Sequence, residues 1–104
     1  MAGYLLGEEG PFTGLVISLE TGDEWIVGRD PSLVFQVLED PMVSRKHVLF
    51  RKTDEGYTIE NLSVVNPTEL NHKELDEPTL LREGDLVQIG NSNFRFSLEA
   101  VSYT

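Results

Sequence analysis

The sequence predicts an all-β domain, a sandwich or a barrel of many short strands. Three observations carry the prediction. Apolar residues alternate with polar ones in separate places, namely at Leu15, Ile17 and Leu19, at Val48 and Phe50, and at Phe94, Phe96 and Leu98. Turn-forming residues recur at roughly every eight to twelve positions, the spacing of short antiparallel strands. No stretch is both long and periodic enough for a confident helix.

In chain order, residues 4–7 and 13–20 read as strands, with Gly10-Pro11 turning between them. Thr21-Gly22-Asp23 breaks the pattern ahead of Trp25-Ile26-Val27, a short aromatic and β-branched run that ends at Gly28, with Trp25 expected in the core or on the sheet face. Asp30-Pro31-Ser32 is turn chemistry. The run 34–38 is a further strand rather than a helix, because Pro31 and Pro41 confine it to about two helical turns and its side chains are aromatic or β-branched. One strand out and one loop back would bring Ser44 close to Arg29. Residues 47–52 alternate as a half-buried strand, 53–56 form a hairpin turn and 57–60 pair back. Residues 61–71 read as a loop, since Pro67 has no N–H to give a central ladder. Residues 75–81 are loosely patterned, and 86–89 and 94–98 are the last two strands.

The chain has 104 residues, enough to bury a core without staples, and no cysteine, so disulfide frameworks, thiolate catalysis and cysteine metal sites drop out. Apolar residues are 39% of the total, and no run approaches the roughly eighteen that span a bilayer. The start of the chain lacks a basic region followed by an apolar one, so the expected location is cytoplasmic, with the cytoplasmic part of a larger membrane-associated protein as a variant of that reading. The ends hug the strands, which suggests one domain over 1–104, excised from a larger protein. Net charge is -10, from 8 Lys and Arg against 18 Asp and Glu, which argues against nucleic-acid and anionic-membrane binding. Five of the eight basic residues nevertheless fall between Arg29 and Lys52. Arg51 and Lys52 read as solvated strand-end charges, and Lys46 as solvent-facing.

The other two, Arg29 and Arg45, fall in the first two of three separated motifs: Gly28-Arg29, Ser44-Arg45-Lys46-His47 and Asn66-Pro67-Thr68-Glu69-Leu70-Asn71. Arg29 offers a planar fork of N–H donors, Ser44 a hydroxyl, Arg45 a second guanidinium and Asn66 an amide that both donates and accepts. Donors carried on loops of a rigid sheet suit holding an anion better than transforming one. A reading in which His47, helped by Asp40, activates Ser44 lacks a glycine-rich nucleophile turn around the serine. Metal binding is no better supported, because His47 and His72 are the only histidines and no carboxylates stand at ligand spacing around them. Neither an enzyme nor a cofactor is expected.

Taken in order, these motifs resemble the forkhead-associated (FHA) domain, a phosphothreonine-peptide reader, and the strand pattern extends the resemblance over roughly 4–98. The resemblance implies a twisted two-sheet sandwich of about eleven strands with its binding loops at one end. It implies that Arg29, Ser44, Arg45 and Asn66 bind the phosphopeptide, while Gly28, His47, Thr68 and Asn71 support the loops. The implied partner is a phosphothreonine-containing protein or peptide, and the isolated domain is expected to be a monomer without membrane insertion. Two departures stand out. Val64-Val65 occupies positions where many family members carry hydroxyls, so one donor is expected to be missing, and Pro67 stands where they carry glycine. The rival function is an FHA-like assembly domain, as in the inner-membrane rings of bacterial type III secretion, where the fold persists without phosphate reading.

Overall fold

A strand with every second residue apolar hides that face only when a second sheet covers it, and the computed structural model, which describes residues 2–98, supplies that sheet. Eleven strands run through the described residues: β1 (Gly3–Glu9), β2 (Val16–Leu19), β3 (Glu24–Gly28), β4 (Gln36–Val37), β5 (Val48–Thr53), β6 (Gly56–Asn61), β7 (Glu69–Leu70), β8 (Lys73–Glu74), β9 (Thr79–Leu80), β10 (Leu86–Ile89) and β11 (Ser92–Ser97). They form a six-stranded sheet in the order β2-β1-β11-β10-β7-β8 and a five-stranded sheet in the order β4-β3-β5-β6-β9. The two-sheet sandwich of about eleven strands is therefore the architecture. No helix of the described residues is long and apolar enough to cross a membrane.

The alternating positions are the core. Ile17, Leu19, Val48, Phe50, Phe94 and Phe96 are buried, as are Trp25 and Ile59. Tyr57 joins the layers: its ring packs between Trp25 and Phe96, with centroids 5.9 and 5.6 Å away, and its hydroxyl donates to Leu19 O while accepting from Gly3 N, both at 2.9 Å.

Three expected elements come out differently. The strand over 13–20 begins only at Val16, because Thr13 and Leu15 donate back to Gly10 O and Phe12 O in a turn. The strand over 34–38 shrinks to Gln36–Val37, a parallel edge pairing with Val27 and Gly28, and Phe35 is left exposed. The presumed loop 61–71 contains β7, which pairs with β8 across Asn71 and His72. Both turn residues have positive φ, 52° and 70°, the conformation a two-residue hairpin demands, although neither is glycine. Asn71 makes that tolerable by bonding across to the next turn: Nδ2 donates to Asp85 Oδ1 at 3.0 Å and Oδ1 accepts Leu86 N at 2.9 Å.

Candidate functional site

The ends of β3 and β5 bring the first two motifs together. Past the Val27–Val48 pair the antiparallel contact continues irregularly, with His47 N donating to Val27 O, Arg29 N to Ser44 O and Asp30 N to Arg45 O at 2.9, 3.0 and 3.3 Å. Gly28 is required there. A Cβ on it would run into the Arg45 carbonyl, so the close crossing of the two chains depends on its absence. His47 lies just before β5, the middle strand of the five-stranded sheet, with its carbonyl accepting Leu62 N just past β6, and it is fully buried.

The loop 40–44 is fastened from both sides. Asp40, nearly fully buried, accepts Met42 N at Oδ1, and takes Asn91 N and Asn91 Nδ2 from the β10–β11 turn of the other sheet. Burial raises its pKa, but these hydrogen bonds and the nearby His47 outweigh that and hold the carboxyl below its ordinary value. Ser44 N donates to His47 Nδ1 at 2.9 Å, so the imidazole proton lies on Nε2, and His47 grips the Ser44 main chain rather than its hydroxyl. With the Asp40 oxygens engaged elsewhere, a Ser–His–Asp relay is not assembled.

The third motif folds around Asn61, whose Oδ1 accepts Ser63 N, Thr68 N and Thr68 Oγ1 while Nδ2 donates to Ser63 O, all between 2.8 and 3.1 Å. Thr68 is buried at the base of this loop. Asn66 spans the gap to the other loop, donating Nδ2 to Met42 O at 3.1 Å.

Between these loops lies a shallow cavity of about 140 Å³ lined by Arg29, Ser44 and Asn66, with Pro41, Met42, Val43 and Val65 completing its wall. Arg29 Nε donates to Val43 O at 2.9 Å, which fixes one edge of the guanidinium and leaves the Nη groups without a partner among the described residues. Arg45 is not among the lining residues. Its Nε and Nη2 bind Asp30 Oδ2 at 3.2 Å on the exposed surface, and Asp30 is held below its ordinary pKa by Ser32, through Oγ and N, and by Arg45. Lys46 is exposed, and Arg51 pairs with Glu24 at 2.8 Å.

Ser63 was not legible as part of the site. It is buried, and its Oγ lies 2.6 Å from Ser44 Oγ while accepting Asn66 N at 3.2 Å. The signal in the sequence is a serine three positions before a loop asparagine, a weak pattern for a side chain bonding its own backbone. Asn61 left no more than the ordinary mark of an asparagine at a strand end.

Burial pushes the His47 imidazole below its ordinary 6.5, against the opposing pull of the Asn66 main chain and the Asp40 carboxylate. As pH falls the unfolded chain takes up this proton before the folded one does. The stability supplied by neutral His47 is thus complete above about pH 6.5 and is lost as pH drops through the lower folded value. Asp40 adds its own loss only below 3.8. The melting temperature is expected to fall between about pH 7.5 and pH 5.5, and to fall less in His47→Asn. A flat parent profile would show that the imidazole is not held neutral.

Comparison with known proteins agrees with this geometry. The FHA domain family pattern matches residues 25–90. The proliferation marker protein Ki-67 of Mus musculus is 36% identical over 56 residues, which is 54% of this chain but 2% of that protein's length. The FHA domain of the CT664 protein from Chlamydia trachomatis superposes with a TM-score of 0.86 at 25% identity, covering 96% of this chain and all of that one. A structure described as a functional analysis of phosphothreonine-dependent FHA domain interactions superposes with a TM-score of 0.81 at 24% identity, covering 97% of this chain and 100% of that one.

Proposed function

The chain belongs to the forkhead-associated domain family, and from that premise we propose that it is a phosphothreonine-dependent protein–protein interaction module of cytoplasmic signalling. One observation carries the reading: Arg29, Ser44 and Asn66, from three separate motifs, line one cavity. Arg29 supplies a planar cationic fork and Ser44 a hydroxyl to phosphate oxygens, and Asn66 meets the peptide main chain. Arg45 joins as a neighbouring charge that must share itself with Asp30. Gly28, His47, Thr68 and Asn71 hold the loops. The phosphothreonine dependence described for the structural neighbour supports the same reading.

The test is an oriented phosphothreonine peptide library followed by titration of a selected peptide. The dissociation constant is expected at roughly 1 to 100 μM, with at least about tenfold preference over the unphosphorylated peptide. Equal affinity for the two forms would sink this reading in favour of an assembly domain.

The library carries a second expectation. A neighbouring cavity of about 240 Å³ shares Met42, Val65 and Asn66 with the anion cavity, and its far wall holds Glu69 and Glu74. These two carboxylates are direct cross-strand partners, and neither has a hydrogen-bonding or ion-pair partner among the described residues. Like charges facing each other are unfavourable until a cation joins them. A lysine or arginine a few residues from the phosphothreonine would lay its stem on Met42 and Val65 and its charge on the two glutamates. Lys should be selected over Glu at that position by about fivefold, the scale of exposed ion pairs. No charge preference at any position would remove the peptide from this cavity.

A further inference from the structure

We propose that Ser63 is a positioning residue for the anion: it donates its hydroxyl hydrogen to Ser44 Oγ and so leaves the Ser44 hydrogen free to face the cavity, an inference resting on the phosphate-reading function above. Ser63 is 3% exposed and does not line the cavity. Its main chain is clamped on both sides by Asn61, which accepts Ser63 N at 3.1 Å and donates to Ser63 O at 2.8 Å. Its Oγ has two partners among the described residues, Ser44 Oγ at 2.6 Å and Asn66 N at 3.2 Å.

Two hydroxyls at 2.6 Å share one hydrogen, and the proton count decides which of them gives it. Suppose Ser44 donates. Ser63 Oγ then receives two hydrogens, its own has no acceptor in a buried place, and Ser44 turns only lone pairs toward the cavity. A phosphate oxygen, itself an acceptor, would be repelled. Suppose instead that Ser63 donates. Its oxygen still accepts the Asn66 N–H, its hydrogen is used, and the Ser44 hydrogen is the one left over. That hydrogen can rotate about the Cβ–Oγ bond toward the anion. Of the two, only the second arrangement gives the buried Ser63 hydroxyl both its donor and its acceptor role, and only it lets Ser44 offer the anion a hydrogen. Because the Asn61 clamp sets it in advance, the anion does not have to reorganise the hydroxyls on arrival.

The experiment is a double-mutant cycle on the whole chain, titrated with a phosphothreonine peptide taken from the library and with its unphosphorylated form. Ser44→Ala should weaken phosphopeptide binding by about tenfold or more and Ser63→Ala by about fivefold, but in the Ser44→Ala background removal of the Ser63 hydroxyl should cost less than about twofold further. Ser63→Thr, which keeps the hydroxyl, should bind within about threefold of the parent. A role confined to holding Asn66 N–H would persist without the Ser44 hydroxyl, so additive losses overturn the proposal, as does parent-like binding by Ser63→Ala. If Ser63→Ala melts far below the parent, Ser63→Cys, a weak donor of similar size, replaces it in the cycle with the same expectation. A parent that does not distinguish the phosphorylated peptide overturns the functional reading and this inference together. A parent that does distinguish it, with additive serine losses, overturns this inference alone.

Discussion

Arg29→Ala should lower the affinity for a phosphothreonine peptide by about thirtyfold or more, the loss of one or more charge-assisted hydrogen bonds. Arg29 is the one cation among the residues lining the anion cavity, and Val43 O already fixes its Nε edge, so the fork is oriented before any anion arrives. That orientation makes Arg29→Lys a poor substitute. An ammonium cannot hold the Val43 carbonyl and present two coplanar donors at once. Arg45→Ala should cost only about threefold, because its guanidinium is solvent-exposed and tied to Asp30. Isothermal titration across these variants at physiological salt checks the order, where more distant charges are screened. Parent-like binding by Arg29→Ala would remove phosphate from the cavity and with it the proposed function.

His47→Ala should destabilise the fold by roughly 2 to 4 kcal/mol, because it opens a buried void at the start of β5 and strips the Ser44 amide of its acceptor. For a domain of this size that corresponds to a melting temperature lower by roughly 10 to 20 °C. The expectation follows from full burial of the ring and from the 2.9 Å bond between Ser44 N and Nδ1. Thermal melts of parent and variant check it. A variant that melts like the parent but binds no phosphopeptide would make His47 a contact residue instead.

The buried faces could be read directly from the sequence, since alternation fixes which side of a strand goes inward wherever strands are long enough to show it. Ile17 and Leu19, Val48 and Phe50, and Phe94 and Phe96 all follow that rule. The short elements could not be read this way. β7 and β8 are two residues each, too brief for a period, and their turn uses Asn71 and His72 at positive φ where a glycine would have announced it. β4 is equally short, and its hydrogen bonds to β3 are what define it.

The sequence by itself determined the all-β class, the inward faces of the longer strands and the three motifs that hold Arg29, Ser44 and Asn66, because residue type and local spacing carry that information, whereas the choice of a sandwich over a barrel came with the family resemblance. Only the tertiary structure decided which side chains meet. Arg45 follows Ser44 in the chain, yet it turns to Asp30, fifteen positions away, at a bend in the backbone ahead of β5. Ser63 reaches Ser44 across nineteen positions, and Asp40 reaches Asn91 across fifty-one. A hydrogen bond acts over about 3 Å, so its partners are set by where the sheets deliver the loops, and that depends on the packing of the whole core.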